Sequence, residues 1–211
     1  MKRFLPLAPV FFWLAACQST PTTPTATTNA AVPELTKQEP AKAEPAKLAQ
    51  VNPEYIEWST LTVNGKPHQE LTTQLLVKQL GRPDSIAKGA IECGSMLENL
   101  NKLDGAVGDG WYYGKTMYEV SGTQAILGSF DVTTGKFRGK LGQLILNQHT
   151  TLEDVRRFFP VSAKQADVPA AGRPGEVMSL PFYYKGKPED ASLNLIFNKG
   201  RLQEVEFFTP C

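Results

Sequence analysis

The chain holds two histidines, His68 and His149, and each stands just before a stretch with a helical pattern. Acyl-transfer chemistry would need one of them beside a serine on a Gly-x-Ser-x-Gly elbow. Gly94-Ser95 and Gly128-Ser129 lack that elbow. Zinc chemistry would need His-x-x-x-His or Glu-x-x-His spacing, and neither histidine has it. Their matching placement suits a surface loop or a hydrogen bond at a helix start. The most polar stretch is Asp104-Gly105-Ala106-Val107-Gly108-Asp109-Gly110. Two carboxylates on a glycine-rich loop could hold calcium, but the EF-hand spacing and its terminal glutamate are missing, and calcium takes six or more oxygens. Glycine with aspartate is also the ordinary composition of a loop leading into a strand. The glycines from Gly105 to Gly114 form neither a dinucleotide nor a P-loop fingerprint. The expectation is a protein that is not an enzyme, with no cofactor and no metal.

Cysteine chemistry is more informative. Of the three cysteines, Cys17 closes an apolar run, while Cys93 and Cys211 lie in the body of the chain. Lys2 and Arg3 precede that run, which extends from Phe4 to Ala16. It is shorter than the roughly 20 apolar residues a spanning helix needs, and Pro6 and Pro9 would break a helix. Leu14-Ala15-Ala16-Cys17 resembles the bacterial lipobox. The resemblance implies a signal peptide over 1–16, cleavage before Cys17, and a diacylglycerol on its thiol. Gln18, rather than Asp, resembles the pattern of lipoproteins sorted to the outer membrane. Export places Cys93 and Cys211 in an oxidising compartment, where an even pair usually bridges. A bond between them would contribute roughly 4–5 kcal/mol in the chain-entropy model. A reactive or metal-binding thiol is the alternative, and no CxxC spacing supports it.

Positions 17–50 are rich in Thr, Pro and Ala and repeat Glu-Pro-Ala-Lys at 39–42 and 44–47. Such a segment cannot bury enough apolar area to offset its ordering entropy, which predicts a disordered, extended tether. From Val51 onward aromatic and β-branched residues return. That body carries 17 Lys plus Arg against 18 Asp plus Glu, a net charge of −1. No basic block stands out, which argues against nucleic acid and against strong attraction to anionic lipid.

The folded part reads as one pattern written twice, over 51–148 and 149–211. Leu71 to Leu80 has a helical pattern stopped by Gly81 and Pro83, and Thr150 to Phe159 has a second stopped by Pro160. Thr150 and Glu153 have capping-box spacing, and Leu152, Val155 and Phe159 share one face. Strand patterns follow each helix: Ala90–Cys93, Gly110 to Val120, Gln124 to Phe130 and Phe137 to Leu146, then Phe182 to Lys185, Leu193 to Phe197 and Leu202 to Phe207. Thr133-Thr134-Gly135-Lys136 reads as a hairpin turn, as does Asn198-Lys199-Gly200. Tyr55 to Val63, ending at Asn64-Gly65, predicts a further strand. The expected class is α+β: two tandem subdomains, each a helix plus an antiparallel meander, with helices packed on one face of the sheet.

Trp111-Tyr112-Tyr113 and Phe182-Tyr183-Tyr184 place neighbouring rings on opposite sides of a strand. One ring of each set should enter the core and another stay outside. Trp111, Tyr113 and Tyr184 are candidate partner-binding residues, together with Arg82 in Leu80-Gly81-Arg82-Pro83. A plainer reading has the outer tyrosine cover the sheet with a wet hydroxyl.

A short helix ending in Leu80-Gly81-Arg82-Pro83 and followed by antiparallel strands resembles the SmpA/OmlA outer-membrane lipoprotein family of the barrel-assembly machinery. More broadly it resembles the β-lactamase-inhibitor-protein-like fold, whose tandem form repeats a helical segment plus a meander. The resemblance implies an envelope lipoprotein that binds or helps assemble a protein partner on the periplasmic side of the outer membrane. An inhibitor of an envelope-acting lysozyme or protease is an alternative, and a small-ligand-binding protein or enzyme is another. Membrane contact would come through the lipid on Cys17.

Overall fold

The structure is a computed structural model. It describes residues 54–101, 105–167, 175–184 and 186–211. Cys17, the apolar run before it and the Glu-Pro-Ala-Lys repeats lie outside the described residues, as does Asp104. The described residues belong to the unit Leu48–Cys211.

Three short α-helices are present among these residues, α1 (Thr73–Leu80), α2 (Glu98–Asn101) and α3 (Leu152–Arg156), with 3-10 turns at Trp58–Thr60 and Ser162–Asp167. Thr72 starts α1 by accepting the Leu75 N–H on its hydroxyl, and Gly81 ends it at φ 86, a backbone region open to glycine. The capping box of α3 forms one residue later than Thr150-to-Glu153 spacing predicts. The Thr151 hydroxyl accepts the Asp154 N–H at 3.1 Å, and the Asp154 carboxylate accepts the Thr151 N–H at 2.9 Å. The reason is that Thr150 is buried and its hydroxyl already accepts the Asn147 N–H at 2.9 Å while donating to the Ile145 carbonyl at 2.8 Å.

The first strands are β1 (Ile56–Glu57), β2 (Leu61–Val63), β3 (Lys66–Pro67) and β4 (Leu71–Thr72). Next come β5 (Ser85–Ile91), β6 (Gly108–Tyr113), β7 (Thr116–Ser121) and β8 (Gln124–Asp131). Then follow β9 (Gly139–Leu141), β10 (Leu144–Leu146), β11 (Glu176–Tyr184), β12 (Lys187–Asn198) and β13 (Arg201–Phe208). The fold is α+β and mostly sheet.

A nine-stranded sheet runs β1-β11-β12-β13-β8-β7-β6-β5, with β4 also paired to β8. Only the β1–β11 pair is parallel. Thus the meander β5 to β8 and the meander β11 to β13 share one ladder through β8 and β13, where Val205 opposes Phe130. A four-stranded sheet, β10-β9-β2-β3, packs beside it. Asn64-Gly65 and Lys199-Gly200 are two-residue turns with positive φ at both positions, as tight hairpins require. The turn 133–136 is not a hairpin. Asp131 accepts the Thr133 N–H at 2.7 Å and its hydroxyl at 2.6 Å, bending the chain out of the large sheet. The next strand, β9, then pairs with β2 and β10 instead of β8.

The main core lies on one side of the large sheet. Met178, Leu180, Leu193, Leu195, Val205 and Phe130 enter it from the strands, and Leu76 and Val155 from the helices. Each such side chain contributes about 1.5–3 kcal/mol when fully buried. A bulge in β13 explains its uneven alternation. Phe197 opposes Leu202 and Ile196 opposes Glu204, so Gln203 is the extra residue and both Leu202 and Val205 face the core.

Candidate functional site

Cross-strand partners share a face of a sheet, and the register places one continuous row on the side away from the main core. Ser179 opposes Asn194, Asn194 opposes Glu206, and Glu206 opposes Ser129. Ser129 opposes Met117, Met117 opposes Tyr112, and Tyr112 opposes Ser85. Polar contacts order one end of this row. The Ser179 and Ser192 hydroxyls donate to Asn194 Oδ1 at 2.7 and 3.1 Å, and Asn194 Nδ2 donates to Glu206 Oε2 at 2.9 Å. At the other end Tyr112 and Met117 are half-buried, and Phe208 on the same side is 45% exposed.

The neighbouring row on this side is covered. Segment 93–101 lays Leu97 and Leu100 over Ile126. The Ser95 hydroxyl and the Met96 N–H both donate to the buried Glu119 carboxylate. Burial pushes the Glu119 carboxyl above its ordinary value, and these two hydrogen bonds offset part of that. Cys93, at the head of the segment, is bonded to Cys211, with Cα atoms 5.2 Å apart. Gly94 is needed there: its φ is 65 and a Cβ would collide with the Thr209 carbonyl.

Trp111 and Tyr113 face the other way. They oppose Tyr118 and Thr116 and pack against the main core, and the Tyr113 hydroxyl donates to the Gly81 carbonyl at 3.2 Å. It is Tyr112, between them, that joins the row. Alternation announced that one of these rings would face outward, but nothing in the chain sets the parity. Arg82 is exposed beside Asp84 and Tyr113. Tyr184 ends β11, and its side chain is outside the described residues.

The residues with catalytic potential stay apart. Asp109 is bound by Lys88 and the Gly89 N–H, which hold its carboxyl below the usual range. His149 is exposed and contacts Gln148. His68 is buried, stacks on Phe207 with ring centroids 3.8 Å apart, and donates Nε2–H to the Leu127 carbonyl at 2.7 Å. Its Nδ1 has no partner, and burial lowers its pKa to about 4, so the ring is neutral with a bare acceptor. The cavities lined by His68 and by His149 do not include Asp109. Among the described residues no group of three or more His, Cys, Asp or Glu is placed to hold a metal, and no helix is long and apolar enough to cross a membrane.

Compared with protein-family models, curated proteins and solved structures, the chain matches none.

Proposed function

We propose that the chain is a non-catalytic lipoprotein, anchored to the outer membrane through Cys17 and facing the periplasm, that docks an envelope protein. In this reading the Thr/Pro/Ala segment is a tether, and the Met117–Tyr112–Ser85 end of the row is the docking face. The observation that carries the reading is that row, which crosses six strand pairs with a bulge at Met117, buries Ser129 and Asn194, and leaves Tyr112 and Met117 half-exposed at one end. Rigid strands preorganise such a surface, so little ordering entropy is lost on binding.

The same ladder supports a two-copy origin for the fold. One copy is α1 with the meander β5 to β8, the other α3 with β11 to β13, joined edge to edge at β8 and β13. Leu76 and Val155 enter one core cluster, as helices packed on one side of the sheet would. Two tests separate the anchor from the docking face. Mass spectrometry of the Cys17 peptide from membranes should find a diacylglycerol adduct, and an unmodified, uncleaved peptide would remove the anchor. Tyr112→Asp with Met117→Glu should abolish co-purification of the partner from solubilised envelope while leaving the melting transition in place. An unchanged partner set would remove the docking face.

A further inference from the structure

Two cavities adjoin beside α1, on the side of the sheet opposite the docking row. The first, about 260 Å³, is walled by Leu71, Leu75, Leu80, Leu127 and Phe137, with His68 and Tyr118 on its lining. The second, about 400 Å³, shares Asn64, Gln79, Leu80 and Phe137 with the first and runs on to Arg82, Asp84 and Lys136. Leu75 and Leu80 are 42% and 39% exposed, although the helix that carries them already buries Leu76. An apolar wall left open to solvent in a concave site is a ligand feature more than a packing one.

Cations line both cavities of this cleft. In the first cavity His68 is neutral, and burial pushes the Tyr118 hydroxyl up to about 12. Lys66 flanks the first cavity, and Arg82 and Lys136 flank the second. None of the three is in an ion pair among the described residues. Asp84 is the only carboxylate lining either cavity, and it accepts the Gly114 N–H at 2.6 Å. The cleft therefore has an excess of cation beside its apolar walls.

We propose that this cleft binds a single-chain amphiphile with one anionic end, of the size of a medium-chain fatty acid. The chain lies against Leu75, Leu80, Leu127 and Phe137, and the carboxylate sits between Arg82 and Lys136. Size follows from volume. About 260 Å³ and about 400 Å³ are the scale of a pocket for one small molecule, roughly 300–1,000 Å³. A bilayer lipid with two long chains exceeds that, and a free anion without a chain would leave the leucine wall uncovered. The site uses neither Tyr112 nor Met117, so it stands or falls apart from the docking face.

The test is calorimetric titration of the full chain carrying Cys17→Ser, purified without detergent, with decanoate below its micelle concentration. Decyltrimethylammonium is the charge control. Saturable one-to-one binding of decanoate is expected, with the cation binding at least about tenfold more weakly. Arg82→Glu with Lys136→Glu should weaken decanoate by about tenfold or more. Lys199→Glu, which lines neither cavity, should leave it unchanged. All three positions are exposed, so folding is checked by circular dichroism and is expected to persist. Absence of saturable decanoate binding, equal binding of the cationic amphiphile, or unchanged affinity in the Arg82/Lys136 variant would each overturn the proposal.

Discussion

The Ser95 hydroxyl donates to the carboxylate of Glu119, joining the segment that follows Cys93 to the middle of β7. Glu119 is buried, and burial raises its pKa above the ordinary carboxylate value of 4.5. A raised folded-state value means the fold prefers the protonated acid. The contribution is fully present below the unfolded value and is lost as pH rises through the folded one. Glu119→Gln keeps an oxygen for Ser95 and Met96 but cannot ionise. Its stability relative to the parent protein should therefore improve as pH rises from about 4 toward neutrality. Denaturant midpoints at several pH values check this, and a constant difference would contradict it.

His68 gives the opposite slope. Its folded-state pKa is about 4 against an ordinary 6.5. Stability from the neutral ring is complete above 6.5 and is lost as pH falls through the folded value, on the order of 3 kcal/mol in all. His68→Phe retains the stack on Phe207 and removes the titration. The parent protein should lose more of its melting temperature than this variant between neutral pH and pH about 4. Equal losses in the two proteins would count against a buried neutral histidine.

The Cys93–Cys211 bond spans 118 residues of sequence. Cys93→Ser with Cys211→Ser should lower stability by about 5 kcal/mol in the chain-entropy model, or roughly 10–20 °C in melting temperature for a domain of this size. Amide exchange should rise first in 93–101, because that segment is tied down by the bond and by Glu119. Uniform acceleration across the sheet would show that the bond does not clamp this segment.

At α3 the capping box ties Thr151 to Asp154 through reciprocal bonds. Thr151→Ala should cost about 1 kcal/mol, whereas Glu153→Ala should cost close to nothing. Urea unfolding of both variants separates this register from the one that Thr150 and Glu153 would give.

Local chemistry carried much of the fold into the sequence. Asn64-Gly65 and Lys199-Gly200 form the expected tight turns because glycine tolerates the positive φ that those hairpins need. Cysteine parity named the Cys93–Cys211 pair for the same kind of reason. Partner choice was not legible. The strand after Thr133-Thr134-Gly135-Lys136 finds β2, which is far upstream, and no local signal distinguishes that from a hairpin. Side-chain alternation gives two faces without saying which is inner, so the run Trp111-Tyr112-Tyr113 does not by itself mark Tyr112 as the ring away from the main core. The cations at the cleft are unremarkable in sequence, since Lys66 comes to line one cavity and Arg82 and Lys136 the adjoining one only through the fold.

The docking face is tested most directly by a photo-crosslinker placed at Tyr112 in intact cells, with Lys199 as the control position on a turn outside the row. One discrete crosslinked product from position 112, absent from 199 and lost when Met117 is changed to Glu, is the predicted result. No product at 112, or the same products from both positions, would contradict the assignment of this sheet face as the surface through which the protein works.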